Sequence, residues 1–510
     1  NIFAGVLSAV VVSSFFKKLT RYIVTHVVKP TPILKMDVEK YSFENSKAVL
    51  SITSFISDKK DIDTLLQSVS DICYNNANIK TEIAFGIVAD LKAASTAHKA
   101  EDDMLLEYLD KKVKILSKET GVAIYAAVRQ REFNKAENRY MGLERKRGAV
   151  IDFLNALNSN NFEKFKGVNL DLLSGAKFFI TLDSDSIPLY DCLAKLIGAM
   201  LYPPNKAVVK GSKTVSGYGM LESYLNTPFS RLTAAGGGTD VYSSPASEFY
   251  GDLFHKSIFF GKGIIDIDAF LKTSANLPNG CILSHDILEG ELSGCAGVTD
   301  AVIGDCTPQK ALSYFKRQSR WVRGDAQNLL FAFDFLRFDS VSRYKIFDNV
   351  LSELMPLFSL LLLAACFFGP KSGAFFAIWL IELWADRIFE LVMLLKPANL
   401  KNIGMRYFGR IDTPLIFNIK QAFFSLWMLA HNAYVNTTAV CTGLWRRLVS
   451  KKNLLSWVTA SDAQKQEKTG ALLYAKCFWF SIFTGILFLL SANVFLAVAA
   501  AFFVTAPIIA

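Results

Sequence analysis

The sequence predicts a doubly wound α/β domain joined to α-helical membrane segments. Three observations carry that reading: a strand-helix-strand succession from Ala48, acidic residues where predicted strands end, and uncharged runs close to the ~20 residues a bilayer requires. At 510 residues, 51% hydrophobic and 20% charged, with a mean hydropathy of +0.27, the chain is too apolar for a soluble domain alone. It is also too charged for a wholly intramembrane protein.

Taken in order, residues 2–16 (IFAGVLSAVVVSSFF) are uncharged and then meet Lys17, Lys18 and Arg21. Basic residues follow the run instead of preceding it, and no small-residue cleavage site is present. That argues against a signal peptide and for the end of a spanning helix entering the cytoplasm. From Ala48, AVLSITSFI reads as a buried strand, DIDTLLQSVSDICYNN as a helix and EIAFGIVAD (82–90) as a second strand. VAIYAAVRQREF (122–133) reads as a further strand and ERKRGAVIDFLNALNS (144–159) as a helix with a basic first turn. Arg145, Lys146 and Arg147 there oppose the helix dipole but sit where orphan backbone N–H groups favour an anion, which suits a phosphate; a solvated basic face is the alternative.

FFITLDSDSIPLY (178–190) runs an apolar strand into Asp183-Ser184-Asp185. With a side-chain period of two, the two carboxylates share one side of an extended strand and suit a divalent cation; a local turn cap is the competing reading. Thr53 and Asp90 also fall at strand ends, where doubly wound sheets bind ligands. Gly261 and Gly263 flank Lys262, so the backbone there can approach a ligand closely, although a plain turn has the same pattern. LSHDILEG (283–290) puts His285, Asp286 and Glu289 within one helical turn, as a capped helix start also would. YFKRQSRWVRGDAQNLL (314–330) sets Arg317, Gln318, Arg320 and Trp321 on a helix that equally suits a membrane surface.

Further apolar stretches divide the chain into a spanning segment (1–16), a cytoplasmic domain (17–345), two spans (346–396), cytoplasmic or interfacial helices (397–472) and two more spans (473–510). Orientation follows from charge: residues 397–472 carry ten Lys or Arg against three Asp or Glu, which places that block inside. The net charge of +10 then fits a positive-inside membrane protein handling an anionic ligand and requires no nucleic acid. Glu382, Asp386 and Glu390 recur every four residues within one apolar stretch, with Arg387 beside them; they read either as a polar path or as a helix paired with another part of the protein. The eight Cys lack CxxC pairs and nearby His, so free thiols in a reducing compartment are expected. The chain starts and stops inside apolar runs, as a segment of a longer protein would.

The order of these motifs resembles processive family-2-type glycosyltransferases of GT-A fold over residues 48–330. RYMGLERKRGAVIDFL, TLDSDS, FFGKGIIDIDAFL, LSHDILEGEL and RQSRWVRGDAQ are more specifically similar to the glycosyltransferase segment of cyclic β-1,2-glucan synthases, and the likeness continues into RRLVSKKNLLSWVTASDA (446–463). The resemblance implies polymerisation of glucose from UDP-glucose into β-1,2-glucan by an inverting, multi-pass enzyme of the inner membrane with a cytoplasmic active site. Expected partners are UDP-glucose, the growing glucan, the bilayer and further domains of the same chain. It implies Mg²⁺ or Mn²⁺ on Asp183 and Asp185, Asp90 near the nucleoside, Lys146 and Arg147 near the diphosphate, Asp286 as general base and Arg317 to Trp321 as the acceptor helix. Two departures stand out: Arg317 occupies the Gln position of QxxRW, and His285 precedes Asp286 where relatives carry Glu. Both put acceptor and linkage in doubt more than activity. A synthase of another β-linked polysaccharide, or a membrane channel or sensor that binds nucleotide sugar without catalysis, are the competing readings.

Overall fold

The structure, a computed structural model, describes residues 2–80, 82–135, 137–226, 249–274, 277–305, 310–366, 372–394, 412–456, 470–491 and 493–510. The expected match over 446–463 therefore lies partly outside the described residues, as do the side chains of Asp386, Arg387 and Glu390.

A central sheet is built from β1 (Ala48–Ile56), β2 (Ile83–Leu91), β3 (Ile124–Arg129), β4 (Phe165–Val168), β5 (Phe178–Asp183), β6 (Ser186–Pro188), β7 (Met220–Asn226), β8 (Gly263–Asp266) and β9 (Cys295–Asp305). The spatial order is β4-β3-β2-β1-β5-β8-β7-β9-β6. Strands β3, β2, β1 and β5 run parallel, so their carboxyl ends share one edge, where ligands bind in such sheets. Both faces are covered, and the side-chain alternation shows it: Leu50 and Ile52 enter one core layer, while Val49 enters the other with Phe153 and Phe179.

The helices include α1 (Ile2–Val27), α2 (Lys59–Asn75), α3 (Ala100–Thr120), α4 (Arg145–Ser159), α5 (Cys192–Leu201), α6 (Ile267–Thr273), α7 (Asp286–Ser293), α8 (Ala311–Asn328), α9 (Ser340–Ala365), α10 (Ser372–Leu394), α11 (Asp412–Trp445), α12 (Trp479–Leu490) and α13 (Val494–Ile509). In α2, Asp58 caps the first turn by accepting from Asp61 N–H at 2.9 Å, and Ile62, Leu65, Leu66, Val69 and Ile72 fall on the buried stripe. Each such side chain contributes about 1.5–3 kcal/mol by leaving water.

A separate apolar cluster joins α1, α9, α10, α11, α12 and α13 through Val11, Leu363, Trp379, Ala430, Phe488 and Phe503. Among the described residues α9 is long and apolar enough to cross a membrane, and a second span exists if Ala471–Cys477 and α12, bent by 72°, count as one. The apolar runs of α1 and α10 carry Lys17, Lys18 and Glu382, and these charges are paired within the bundle: Lys17 Nζ lies 2.5 Å from Asp348, and Lys18 Nζ lies 2.8 Å from Glu382 Oε1. The expected interfacial block 397–472 is, where described, dominated by one 34-residue helix, α11, packed inside the same cluster. The described cysteines are free, as expected.

Candidate active site

The parallel register puts Thr53 of β1 opposite Asp183 of β5 and Asp90 of β2 opposite Arg129 of β3. Asp90, expected beside the nucleoside, is 3% exposed. Both its oxygens accept from Arg129, Nε and NH2 each at 2.8 Å. Burial still raises the Asp90 carboxyl above its ordinary range, the Arg129 contact notwithstanding. Arg129 also donates to Asp152 at 2.9 Å and to the Arg145 carbonyl at 3.1 Å. Sequence reasoning passed over Arg129; a charged residue closing the third parallel strand was the available signal. The Thr53 hydroxyl is buried and makes no hydrogen bond.

The basic helix start divides its labour. Glu144 and Arg145 both hold left-handed backbone, φ 56° and 52°, which costs roughly 1–2 kcal/mol for each side-chain-bearing residue. Contacts over-determine the turn: Gly280 N–H donates to the Glu144 carboxylate, Arg129 holds the Arg145 carbonyl, and Arg145 lies 3.6 Å from Glu137. Lys146 reaches the sheet edge, 2.5 Å from Asp183 Oδ1, and donates to the Gly261 carbonyl at 3.3 Å. Arg147 does not share that role. It is 2% exposed, and its guanidinium contacts Glu289 at 3.3 Å, Glu144 at 3.5 Å, Asn279 at 3.3 Å and the Leu277 carbonyl at 3.1 Å. A buried guanidinium needs such partners, so the place predicted for it beside a diphosphate is corrected to an internal one.

Asp183 ends β5, and Ser184 and Asp185 form a turn before β6. The alternation argument for a shared strand face therefore does not hold; Asp183 closes the strand and Asp185 belongs to the turn. Asp183 takes Lys146 on one oxygen and Lys262 on the other, the latter at 3.5 Å. Burial alone would raise the Asp183 carboxyl, but Lys146 and Lys262 hold it well below the usual carboxylate range. Arg320 on α8 stands within electrostatic reach of Asp183, Asp286 and Asp185.

Gly261 has φ 84° and, with no side chain, lets Asp286 pack against it: a Cβ there would sit 2.9 Å from Asp286 Oδ1. Gly263 serves the fold instead of a donor, since a Cβ on it would strike the Leu221 carbonyl of β7 at 2.0 Å. His285 precedes α7 and places Nδ1 2.9 Å from Glu289 Oε2 and 3.3 Å from Asp286 Oδ1. The ligand atoms of these three residues lie within 4.8 Å of one another, a spacing a metal could use; the Arg147 contact assigns Glu289 to an ion pair. Burial, reinforced by Glu289 and Asp183, raises the Asp286 carboxyl against the pull of His285 and Lys146. Glu289 goes the other way: burial opposes ionisation, but His285 and Arg147 outweigh it.

Helix α8 presents Trp321, 44% exposed, with the Arg317 guanidinium 4.6 Å from the ring centroid. Gln318 turns out to be a tether and not an acceptor contact: its Nε2 donates to Asn436 Oδ1 of α11 at 2.8 Å. Gly324 of α8 packs against Ser284, and Asn328 donates to the Ser284 carbonyl, so α8 and the His285-Asp286 turn are fixed to each other.

An acid held by two ammonium groups, a second acid raised beside it and an Arg-stacked Trp on the next helix suit transfer from an anionic donor to a hydroxyl acceptor. The chain is similar over most of its length to a glucan synthase. Cyclic beta-(1,2)-glucan synthase NdvB of Rhizobium meliloti is 26% identical over 460 residues, covering 86% of this chain and 16% of the relative. Glucans biosynthesis glucosyltransferase H of Pseudomonas paraeruginosa is 28% identical over 167 residues, 30% of this chain and 18% of that one, and the Klebsiella pneumoniae protein of the same description is 28% identical over 166 residues. The chain thus spans less than a fifth of the length of these relatives. No family model matches. Among solved structures, a mycobacterial protein aligns with 56% of this chain at 12% identity and a TM-score of 0.25, too low to bear on the fold. The glucan-synthase relatives agree with the resemblance read from the motifs.

Proposed function

We propose that this chain is the glycosyltransferase unit of a membrane-bound, inverting synthase that transfers glucose from UDP-glucose to a growing β-1,2-glucan. The single observation that carries the reading is the convergence of Lys146 and Lys262 on Asp183 while Asp286 sits against Gly261 in the same cluster. Similarity to a cyclic β-(1,2)-glucan synthase over 86% of the chain supports it.

Lys146, Lys262 and Arg320 gather positive charge where a diphosphate leaving group accumulates negative charge. The donor set at Asp183 and Asp185 is hard oxygen, and Asp183 already attracts cations from two sides, so both residues fit Mg²⁺ or Mn²⁺. When bound, that ion would neutralise part of the leaving-group charge. Asp286 accepts the proton of the attacking hydroxyl as its oxygen bonds to the anomeric carbon and the bond to the UDP phosphate oxygen breaks. Burial raises the Asp286 carboxyl, which makes it a stronger proton acceptor than an ordinary aspartate. Trp321 offers an apolar face to an acceptor sugar. Thr53, with its unmade hydrogen bond and its place opposite Asp183, is assigned to the donor side with Asp90 and Arg145. The bilayer holds α9 and its bundle, in a multi-pass arrangement with the site on the cytoplasmic side, and further domains of the same chain are proposed partners.

Incubation of the purified protein with UDP-glucose and Mg²⁺, followed by NMR of the product linkages, tests the reading. β-1,2 linkages support it. A different β-linkage would favour another glucan synthase, an option that the similarity to glucosyltransferase H keeps in view, and absence of transfer despite donor binding would leave a binding protein.

A further inference from the structure

We propose that Glu222 is a positioning residue of this site, holding the Phe260–Gly263 loop through a hydrogen bond that an uncharged side chain makes as well. The inference rests on the transferase reading above. Glu222 lies on β7 and is 5% exposed. Its Oε2 accepts the Phe260 N–H at 2.8 Å, and its Oε1 is buried with no hydrogen-bond partner. Its Cα pairs with Gly263 in the β7–β8 register. One residue on, Ser223 donates twice to the Lys262 carbonyl, from N–H at 3.3 Å and from Oγ at 3.1 Å. Strand β7 therefore clamps the loop at both ends.

What the clamp holds is chemically specific. The Gly261 carbonyl between the two anchors accepts from Lys146, Lys262 reaches Asp183, and Asp286 packs against Gly261. A loop slack by one ångström would move the Lys262 contact of Asp183 and the Gly261 carbonyl that holds Lys146 together. The titratable groups within electrostatic reach of Glu222 are Asp286 on α7, Lys262 on the loop and Lys146 on α4. A carboxylate buried without an ion-pair partner is strongly disfavoured and would add negative charge beside Asp183 and Asp286. A neutral carboxyl still accepts the Phe260 N–H through its carbonyl oxygen, with the proton left on Oε1. Burial accordingly pushes the Glu222 carboxyl well above the ordinary range.

Full-chain protein, assayed for glucose transfer from UDP-glucose and for UDP binding by calorimetry, decides the matter. Glu222→Gln, which copies the neutral acid, is expected to keep transfer within about threefold and a pH profile of kcat/KM that overlays the wild type. Glu222→Ala is expected to lose roughly ten- to a hundredfold in kcat, the scale of a small misplacement of reacting groups. Glu222→Gln as defective as Glu222→Ala, or with a displaced pH profile, overturns the inference by showing that the charge is needed. So does full activity in Glu222→Ala. Should Glu222→Ala not fold, Glu222→Gln alone still decides. A wild type that neither binds UDP nor transfers glucose overturns the transferase reading and this inference with it, whereas an active wild type with a dead Glu222→Gln overturns the inference only.

Discussion

Arg147 Nε lies 3.3 Å from Glu289 Oε1, with the two side chains 1% and 6% exposed. The contact spends both charges inside the protein, and it divides the acidic pair of α7 into unlike members. Glu289, held by His285 and Arg147 against the cost of burial, stays ionised. Asp286, beside Gly261, is raised and more exposed. Two carboxyls pushed apart in this way take different roles, and the raised one is the better proton acceptor.

Asp286→Asn should therefore lower turnover by roughly a hundredfold or more, the usual scale for a positioned base. Donor affinity should survive, because the positive groups around Asp183 are untouched. Since Asp286 acts deprotonated, kcat/KM of the wild type should fall as pH drops through its folded value, above the ~3.9 of an ordinary aspartate. Single-turnover transfer and UDP dissociation constants check the first claim, and a pH–rate profile the second. Near-normal transfer in Asp286→Asn would remove the residue from this role.

Glu289→Gln acts on stability first. It removes the Glu289 charge from the buried Arg147 and leaves Glu144 at 3.5 Å as its carboxylate partner, a loss of up to about 3 kcal/mol. Sign matters for the pH dependence. The depressed Glu289 carboxyl contributes stability present above its unfolded value near ~4.3 and lost as pH falls through the folded one. His285 runs opposite: burial opposes its charge, but Glu289 and Asp286 raise it overall, so its contribution is fully present below ~6.5 and fades as pH rises through the folded value. Denaturant midpoints from pH 5 to pH 9 should decline at the alkaline end for the wild type and much less for Glu289→Gln.

Much of this was legible in the sequence because strand ends and helix starts are local. AVLSITSFI, EIAFGIVAD and the Arg145 helix fall within one or two residues of β1, β2 and α4, and Asp183, Lys146, Lys262 and Asp286 meet as the motif order suggested. What pattern alone could not show is which charge is answered by a partner remote in sequence. Arg147 and Glu289 are far apart in the chain, so a helix start that looks phosphate-directed turns out half internal. Gln318 likewise reads as part of an acceptor motif until Asn436, more than a hundred residues later, is seen to take its amide. Pairing inside the helical bundle is equally invisible to hydropathy: Lys18 and Glu382 each look costly until they are seen together.

The Asp183 site yields a third expectation. Lys146→Met removes the nearer of the two ammonium groups from Asp183 and the donor to the Gly261 carbonyl. Donor affinity should weaken by about tenfold, equivalent to ~1.4 kcal/mol. Asp183→Asn and Asp185→Asn should instead abolish the response of transfer to added Mg²⁺ or Mn²⁺ while the protein keeps its thermal melt. Unchanged synthesis in the presence of a chelator, or in either Asp variant, would show that the metal assignment is wrong.

The last expectation concerns Glu382. Its Oε1 accepts from Lys18 at 2.8 Å and from the Ser14 hydroxyl at 3.2 Å, and Lys18 also donates to the Glu382 carbonyl at 3.0 Å. A carboxylate so engaged ties α10 to α1 and has little left to offer a passing glucan. Replacing it with Leu takes the Glu382 carboxylate away from the Lys18 ammonium, and breaking one side of such a pair within an apolar bundle costs several kcal/mol. Glu382→Leu should thus lower folded yield and melting temperature, with transfer of a first sugar and production of long glucan falling in parallel. The double variant Lys18→Met with Glu382→Leu should recover most of the loss, because apolar residues of similar volume can replace a buried pair. The reading as a glucan path predicts the opposite: first-sugar transfer intact, long product lost, and no rescue by Lys18→Met. Detergent-purified protein assayed for both products, with melts on each variant, separates the two.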